Sequence, residues 1–227
     1  MDISLHYIQK GSGLPLLLLH GNGESGTYFV HQMDAFACHF TVYAVDTRGH
    51  GQSPRGTAPF TISQFADDLL GFMDGQGIGK ADILGFSDGG NIALTFALRH
   101  PERVGRLVLN GANLDPSGVK PWIQLPIVLG YRLASLSKAP KARANAALLG
   151  LMVNEPHIDP KELAALTMPV LVIVGSKDMI KASHSQLIAD SLANGRLVTI
   201  AGDHFIANKR PAQFNRAVLE FLKEETP

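Results

Sequence analysis

A serine inside a short glycine-rich turn is the residue that points most directly to chemistry. Ser87 lies in the run GFSDGG, between the apolar run ADIL and the helical run NIALTFALRH. A G-x-S-x-G turn between a strand and a helix is typical of a nucleophile elbow, which lifts the serine hydroxyl above the edge of a sheet. The following helix directs its N-terminus, which favours negative charge, at the same place. We therefore predict that Ser87 is a nucleophile.

A serine hydroxyl is a weak nucleophile, so it needs a base, and the base needs an orienting acid. Asp178 follows the apolar run VLVIV, and His204 follows the run LVTI. Among nine histidines, only His204 lies downstream of an acid at a strand end. Asp203 and Asp190 are rival acids, but the first adjoins the histidine and the second falls within a predicted helix. We predict a catalytic triad of Ser87, Asp178 and His204.

Acyl transfer also needs two backbone N–H groups that bind the developing oxyanion. One should belong to Asp88, the residue after the nucleophile. The second is expected from Asn22, in the loop HGNG that follows the apolar run LLLL. His20 in the same loop is interpreted as a structural brace.

The composition describes a globular chain with no marked charge. The chain has 227 residues, 45% of them apolar, and a net charge of zero, so no nucleic acid or membrane partner is expected. Cys38 is the only cysteine, which excludes an intrachain disulfide. The N-terminus lacks the pattern of a signal peptide, and the longest apolar run is far shorter than the ~20 residues of a membrane span. We expect a soluble, cytoplasmic protein; the oligomeric state stays open.

Short apolar runs alternate with longer amphipathic segments, which predicts an α/β fold with a mostly parallel sheet flanked by helices. Predicted strands are Ile3–Gln9, Leu16–Leu19, Thr41–Val45, Asp82–Gly85, Arg106–Leu109, Val170–Val174 and Leu197–Ile200. Predicted helices lie near Tyr28–Phe36, Ile62–Gly75, Gly89–Arg99, Ala182–Leu192 and Pro211–Lys223. The run GSG at positions 11–13 predicts a hairpin between the first two strands, and hence an antiparallel edge.

The alternation stops between the fifth and sixth strands. We predict one domain over residues 1–227, with a helical cap inserted at 113–167 and helices at Ile123–Ser135 and Ala139–Met152. Walls of the substrate pocket are expected from Phe86, Asp88, Trp122 and Leu125. The cap carries several basic residues and is interpreted as a solvated helical face, although an anionic partner is the alternative. These basic residues are Lys120, Arg132, Lys138, Lys141 and Arg143.

The motifs together resemble the α/β-hydrolase superfamily over nearly the whole chain. The matching elements are His20-Gly21, the run DTRGHGQS at positions 46–53, the Ser87 elbow, Asp178 and His204. This resemblance implies the α/β-hydrolase fold with a small helical cap. Dehalogenase and epoxide-hydrolase relatives carry an aspartate where this chain has Ser87, which argues against both activities. The runs GFSDGG and LNGAN are similar to those of valacyclovir-hydrolase-like (biphenyl-hydrolase-like) esterases, whose preferred substrates are α-amino-acid esters.

These features predict a serine hydrolase that cleaves a small carboxylic ester or amide through an acyl-enzyme, without metal or cofactor. An α-amino-acid ester is the expected substrate if the Asp88 carboxylate faces the acyl group. One alternative is hydrolysis of a carbon–carbon bond in a dienoate or β-diketone; another is a ligand receptor without turnover. The pattern G-x-G-x-x-G at 21–26, followed by Asp46, resembles a dinucleotide-binding fingerprint. That interpretation leaves the three strand-end residues unexplained, so we do not favour it.

Overall fold

A seven-stranded sheet forms the centre of the computed structural model, which describes residues 2–224. The strands are β1 (Tyr7–Lys10), β2 (Leu14–Leu19), β3 (Phe40–Val45), β4 (Ala81–Phe86), β5 (Val104–Asn110), β6 (Val170–Gly175) and β7 (Gly195–Ile200). Their order across the sheet is β1-β3-β2-β4-β5-β6-β7. Only β1, at one edge, runs antiparallel to its neighbour within this sheet. The predicted α/β class with a mostly parallel sheet is confirmed.

The central strands are covered on both faces. Strands β4 and β6 are buried along their whole length, as expected for parallel strands between two layers of helices. Successive side chains of β2 alternate between these layers, since Leu17 and Leu19 join one apolar cluster and Leu16 and Leu18 join the other. The two-residue period of the strand thus supplies both halves of the core.

The predicted hairpin between β1 and β2 is wrong. Strand β1 pairs with β3, with Tyr7 opposite Val45, and β2 lies on the far side of β3. Gly11 and Gly13 have φ angles of 83° and 121°. A Cβ on Gly11 would lie 2.4 Å from the Phe40 carbonyl oxygen, so the glycines permit a close crossing of the start of β3. The glycines therefore allow the chain to cross from β1 to β2 past the start of β3. The predicted antiparallel edge is correct, but the predicted hairpin is not.

Eight α-helices accompany the sheet within residues 2–224, besides four short 3-10 helices. They are α1 (Val30–Ala37), α2 (Ile62–Gly75), α3 (Asp88–Arg99), α4 (Pro121–Leu136), α5 (Pro140–Asn154), α6 (Ala182–Ser191), α7 (Ile206–Lys209) and α8 (Pro211–Lys223). The Thr61 hydroxyl accepts a bond from the Gln64 N–H (3.1 Å) and caps α2. Helix α3 ends before Pro101, as the sequence predicts. The short α7 was not predicted.

The segment between β5 and β6 contains the two predicted cap helices, α4 and α5, which pack against each other. Each begins at a proline, a residue suited to the first turn of a helix. These two helices are much less buried than the other long helices, because α4 has no buried residue and α5 has one, Leu151. The predicted domain limits extend to Met1 and to residues 225–227, which lie outside the described residues.

Candidate active site

Ser87 lies at the sharp turn between β4 and α3. Its φ of 53° makes it the one non-glycine residue with positive φ in the described chain, and such backbone strain is often found at functional sites. Space around the turn is minimal, because a Cβ on Gly85 would lie 2.2 Å from the Gly89 carbonyl oxygen. A Cβ on Gly89 would lie 2.1 Å from the Leu19 carbonyl oxygen. These contacts explain why the motif needs glycine on both sides of the serine.

Asp178 and His204 are brought together from the ends of β6 and β7. The Nδ1 atom of His204 lies 2.7 Å from Oδ1 of Asp178, and both side chains are buried. The Asp178 carboxylate also accepts bonds from the Ile180 N–H (3.0 Å) and the Gly175 N–H (3.3 Å). Burial raises the pKa of Asp178, but the bonds from His204 and the backbone outweigh it and hold this pKa below its ordinary value.

The partners of the imidazole define its tautomer. An ionised carboxylate only accepts hydrogen bonds, so Nδ1 carries a proton, and in the neutral ring the free lone pair is on Nε2. This Nε2 atom is buried and has no hydrogen-bond partner among residues 2–224. The ring contacts Phe86, the residue before the serine, at a centroid distance of 4.9 Å. The imidazole of His204 therefore lies beside the elbow, with its Nε2 atom unpaired among the described residues.

The rival acids have other partners. Asp203 pairs with Lys209 and accepts the Phe205 N–H at 3.0 Å. Asp190 accepts a bond from the Gln186 side chain at 2.7 Å on the exposed side of α6. Only Asp178 contacts His204 among the three candidates.

The loop after β2 is held by His20. Its Nε2 accepts the Thr47 N–H at 3.1 Å, so its Nδ1 is the donor to the Gly21 carbonyl at 2.7 Å. Burial lowers the pKa of His20 to about 4, which keeps the ring neutral near pH 7. The Asn22 side chain donates to the Leu148 carbonyl at 2.7 Å and thereby joins this loop to α5. The interpretation of His20 as a brace agrees with these contacts.

Asp88 begins α3, and the first N–H groups of a helix have no partner within it. Its carboxyl group is buried, Oδ1 accepts a long bond of 3.4 Å from the Asn91 amide, and the Asn22 side chain lies close enough to lower the pKa of the carboxyl. The Oδ2 atom has no hydrogen-bond partner among residues 2–224. Burial raises the pKa of Asp88 to about 6. The site thus contains a carboxyl group with unused capacity to accept hydrogen bonds.

Comparison with known proteins agrees with this fold. Residues 15–146 match the family model described as the alpha/beta hydrolase fold. The chain belongs to the α/β-hydrolase family. It is 34% identical to the 2-hydroxy-6-oxononadienedioate/2-hydroxy-6-oxononatrienedioate hydrolase of Burkholderia vietnamiensis, over 98% of this chain and 92% of that protein. It is 31% identical to RutD, a proposed carbamate hydrolase of Caulobacter sp. (strain K31), over 92% and 91%.

A solved structure is similar over the same extent. The thermophilic esterase of Thermogutta terrifontis superposes with a TM-score of 0.82 at 26% identity, covering 97% of this chain and 93% of the esterase. The relatives of this hydrolase therefore differ in the bonds that their names say they cleave, while the fold is shared.

Two residues near the candidate site were not identified from the sequence. Glu24 is half-buried in the loop after β2, and its Oε2 atom has no hydrogen-bond partner among residues 2–224. Burial raises the pKa of Glu24 to about 7, and a hydrogen bond with the Gly21 backbone opposes this shift. Tyr28 stacks on Phe86 with ring centroids 4.3 Å apart. For Glu24, the sequence signal was an acidic residue in a glycine-rich loop. The burial that raises its pKa depends on the fold and could not be predicted.

The predicted pocket walls divide into two groups. Phe86 is buried between Tyr28 and His204, and Asp88 is buried beside the elbow. Trp122 and Leu125 are 68% and 71% exposed on α4. A wall of an enclosed pocket would be mostly covered, so the structure gives no support to a pocket role for these two.

Asp46 holds loops together. Its carboxylate accepts the N–H groups of Gly26 (2.6 Å) and Gln52 (2.8 Å) and contacts Nδ1 of His6 at 2.8 Å. The acidic residue of the apparent dinucleotide fingerprint thus already has hydrogen-bond partners within the protein. Within residues 2–224, no three His, Cys, Asp or Glu side chains cluster in a way that would hold a metal ion.

Proposed function

We propose that this α/β-hydrolase is a serine hydrolase that cleaves small carboxylic esters or amides through an acyl-enzyme on Ser87. The observation that carries the proposal is the buried pair of Asp178 and His204, whose free Nε2 lies beside the strained elbow. Phe86 connects the two parts, because it precedes the serine and contacts the imidazole. A base, its orienting acid and a nucleophile thus share one edge of the sheet.

In the proposed reaction the Ser87 oxygen attacks the acyl carbon while His204 Nε2 takes the hydroxyl proton. The imidazolium is stabilised by Asp178, and the backbone N–H groups of Asn22 and Asp88 bind the oxyanion. His204 then returns the proton to the leaving alcohol or amine as the acyl-enzyme forms. Water, deprotonated by His204, attacks the acyl-enzyme, and Ser87 recovers its proton as the carboxylic acid leaves.

Ser87→Ala is the direct test. A fluorophosphonate probe should label the wild type at Ser87, and the variant should lose both labelling and several orders of magnitude of p-nitrophenyl ester turnover. Ser176→Ala is the matched control, since Ser176 is an exposed serine at the end of β6, and it should retain both. Retention of turnover in Ser87→Ala would refute the mechanism. A single equivalent of product without further turnover would instead favour a ligand receptor.

The preferred substrate class within this proposal is an α-amino-acid ester. Support comes from Asp88, whose buried Oδ2 lacks a partner among the described residues and would accept bonds from a substrate ammonium group. The resemblance of GFSDGG to valacyclovir-hydrolase-like esterases favours the same class.

Carbon–carbon bond hydrolysis is the second candidate, favoured by the relative from Burkholderia vietnamiensis. A dienoate substrate would need cations to hold its carboxylate. The cap residues Arg132, Lys138, Lys141 and Arg143 are exposed, while the groups facing the site include the acids Asp88 and Glu24. Turnover of a 2-hydroxy-6-oxo-dienoate with a higher kcat/KM than that of any ester tested would make carbon–carbon cleavage the main activity.

A further inference from the structure

A row of large apolar side chains lies exposed along α4. Each of these side chains has at least 57% of its surface open to solvent, and α4 contributes no buried residue to the core. The row, here called the cap stripe, consists of Trp122, Leu125, Leu129, Leu133 and Leu136. Large contiguous apolar patches on a protein surface mark interaction sites. The cap stripe is therefore a candidate binding surface for a partner.

Helix geometry aligns these five residues. At about 100° per residue, positions 122, 125, 129, 133 and 136 fall within an arc of about 80°. Their 14-residue spacing extends about 21 Å along the helix axis. The cap stripe is thus a narrow, continuous face.

Charge is distributed unevenly around the cap stripe. The hairpin formed by α4, α5 and their connection (residues 121–154) holds four of the chain's 20 basic residues and none of its 20 acidic residues. The rest of the chain accordingly carries 16 basic against 20 acidic residues. All four cations of the hairpin are exposed: Arg132, Lys138, Lys141 and Arg143. A basic hairpin thus projects from an acidic body.

We propose that this hairpin docks on the surface of an anionic lipid bilayer. The cap stripe enters the boundary between headgroups and acyl chains, and the four cations contact lipid phosphates. Segments that lie in a membrane interface combine a Trp and Leu face with Lys and Arg residues. Here α4 supplies the apolar face and one cation, and the connection and α5 supply the other three. The docking is peripheral, because no helix among residues 2–224 is long and apolar enough to cross a bilayer.

A second copy of the chain fits the charges less well. Two hairpins packed face to face would bring eight basic residues together without a single acid from either hairpin. An anionic lipid surface supplies the opposite charge and covers the leucines at the same time. The proposal revises the expectation, drawn from zero net charge, that the protein has no membrane partner.

The position of the hairpin gives the docking a consequence. Asn22 in the loop beside Ser87 donates to the Leu148 carbonyl of α5 at 2.7 Å. Docking through α4 therefore holds the loop beside Ser87 near the lipid surface, where amphiphilic molecules are concentrated.

The single tryptophan of the chain provides the measurement, because Trp122 lies in the cap stripe. The full-length protein is mixed with vesicles of 30% phosphatidylglycerol in phosphatidylcholine or of phosphatidylcholine alone. We expect a blue shift of the Trp122 emission and at least about 10-fold stronger co-sedimentation with the anionic vesicles. Salt at 0.5 M should reverse most of the binding, because it screens charges beyond a few ångströms.

Variants separate the two contributions. Leu129→Ser with Leu133→Ser should weaken binding to the anionic vesicles at least about 10-fold. Lys141→Gln with Arg143→Gln should lower the binding and weaken its dependence on salt, because two of the four cations remain. Leu14→Ser is the matched control, because Leu14 is 71% exposed at the start of β2, outside the cap. It should bind like the wild type. Thermal unfolding of each variant checks the fold.

Three outcomes would overturn the proposal. One is the absence of both the blue shift and co-sedimentation of the wild type with anionic vesicles. Another is equal binding to neutral and anionic vesicles. The third is a blue shift that grows with protein concentration without lipid and coincides with a dimer in analytical ultracentrifugation, which would assign the cap stripe to a second copy. Esterase activity is not part of the readout, so this test and that of Ser87 fail independently.

Discussion

The sheet edge around Ser87 and the cap hairpin differ in how their side chains are held. Asp178 and His204 are 3% and 5% exposed, and neighbouring backbone groups hold the carboxylate in place. In the hairpin only Leu151 is buried, although α4 is the most leucine-rich helix of the described chain. The sheet edge therefore holds its polar side chains at fixed distances, whereas the hairpin exposes an apolar surface to solvent.

The difference shows where each kind of function is placed. Proton transfer needs donor and acceptor within about 3 Å, and such precision requires a packed surrounding. Contact with a partner needs exposed area instead. Substitutions at the edge should therefore act on rate, and those in the hairpin on association.

The largest effect is expected for Asp178→Asn. An amide cannot accept from the His204 N–H and from both backbone donors at once, so the imidazole loses its tautomer, and kcat should fall by about 10⁴-fold. Steady-state ester hydrolysis measures this loss. Asp203→Asn is the control, because Asp203 adjoins His204 in sequence but pairs with Lys209. A similar loss in both variants would contradict the assignment of the acid.

A pair of leucines tests the contrast in burial. Leu18 is fully buried in β2, so Leu18→Ala should lower the free energy of unfolding by about 2–5 kcal/mol. Leu133 is 62% exposed in α4, and Leu133→Ala should change this free energy by less than about 0.5 kcal/mol. Urea titration followed by circular dichroism measures both. A loss above 2 kcal/mol for Leu133→Ala would mean that α4 is part of the core.

Gly111→Ala tests the fit around the imidazole. A Cβ at this position would lie 2.6 Å from Cε1 of His204, at a φ of 64°. The ring must move, and a displacement near 1 Å should cost about 100-fold in kcat. Gly77→Ala is the control for backbone strain, because Gly77 has a φ of 67° and open space around it. Equal kcat for Gly111→Ala and wild type would show that the ring tolerates the displacement.

The smallest effect concerns Asp88 and pH. Because burial raises its pKa to about 6, the carboxyl is mostly neutral at pH 5 and mostly ionised at pH 7. The ratio of kcat/KM for alanine benzyl ester to that for benzyl propionate should therefore rise by up to about 10-fold between these pH values. Any pH effect that is common to both esters cancels in the ratio. In Asp88→Asn the ratio should stay flat; a rise there would exclude Asp88 as the ammonium site.

Local patterns in the sequence determined the helices and strands and the order of the candidate site residues along the chain. Apolar runs of strand length predicted all seven strands, and Thr61 and Pro101 marked helix ends. The run GFSDGG marked the turn at Ser87 because its glycines are a local requirement. Asp178 and His204 could be proposed since each follows a strand, and parallel strands end at one edge.

Tertiary packing decided everything that depends on distant neighbours. The sequence could not show that β3 lies between β1 and β2, since strand pairing is a long-range choice. Nor could it show that Gly111 backs the His204 ring or that Glu24 and Asp88 are buried enough to raise their pKa values. The cap showed the limit most clearly: apolar residues at helical spacing predicted α4, but only the fold left Trp122 and the leucines of the cap stripe exposed.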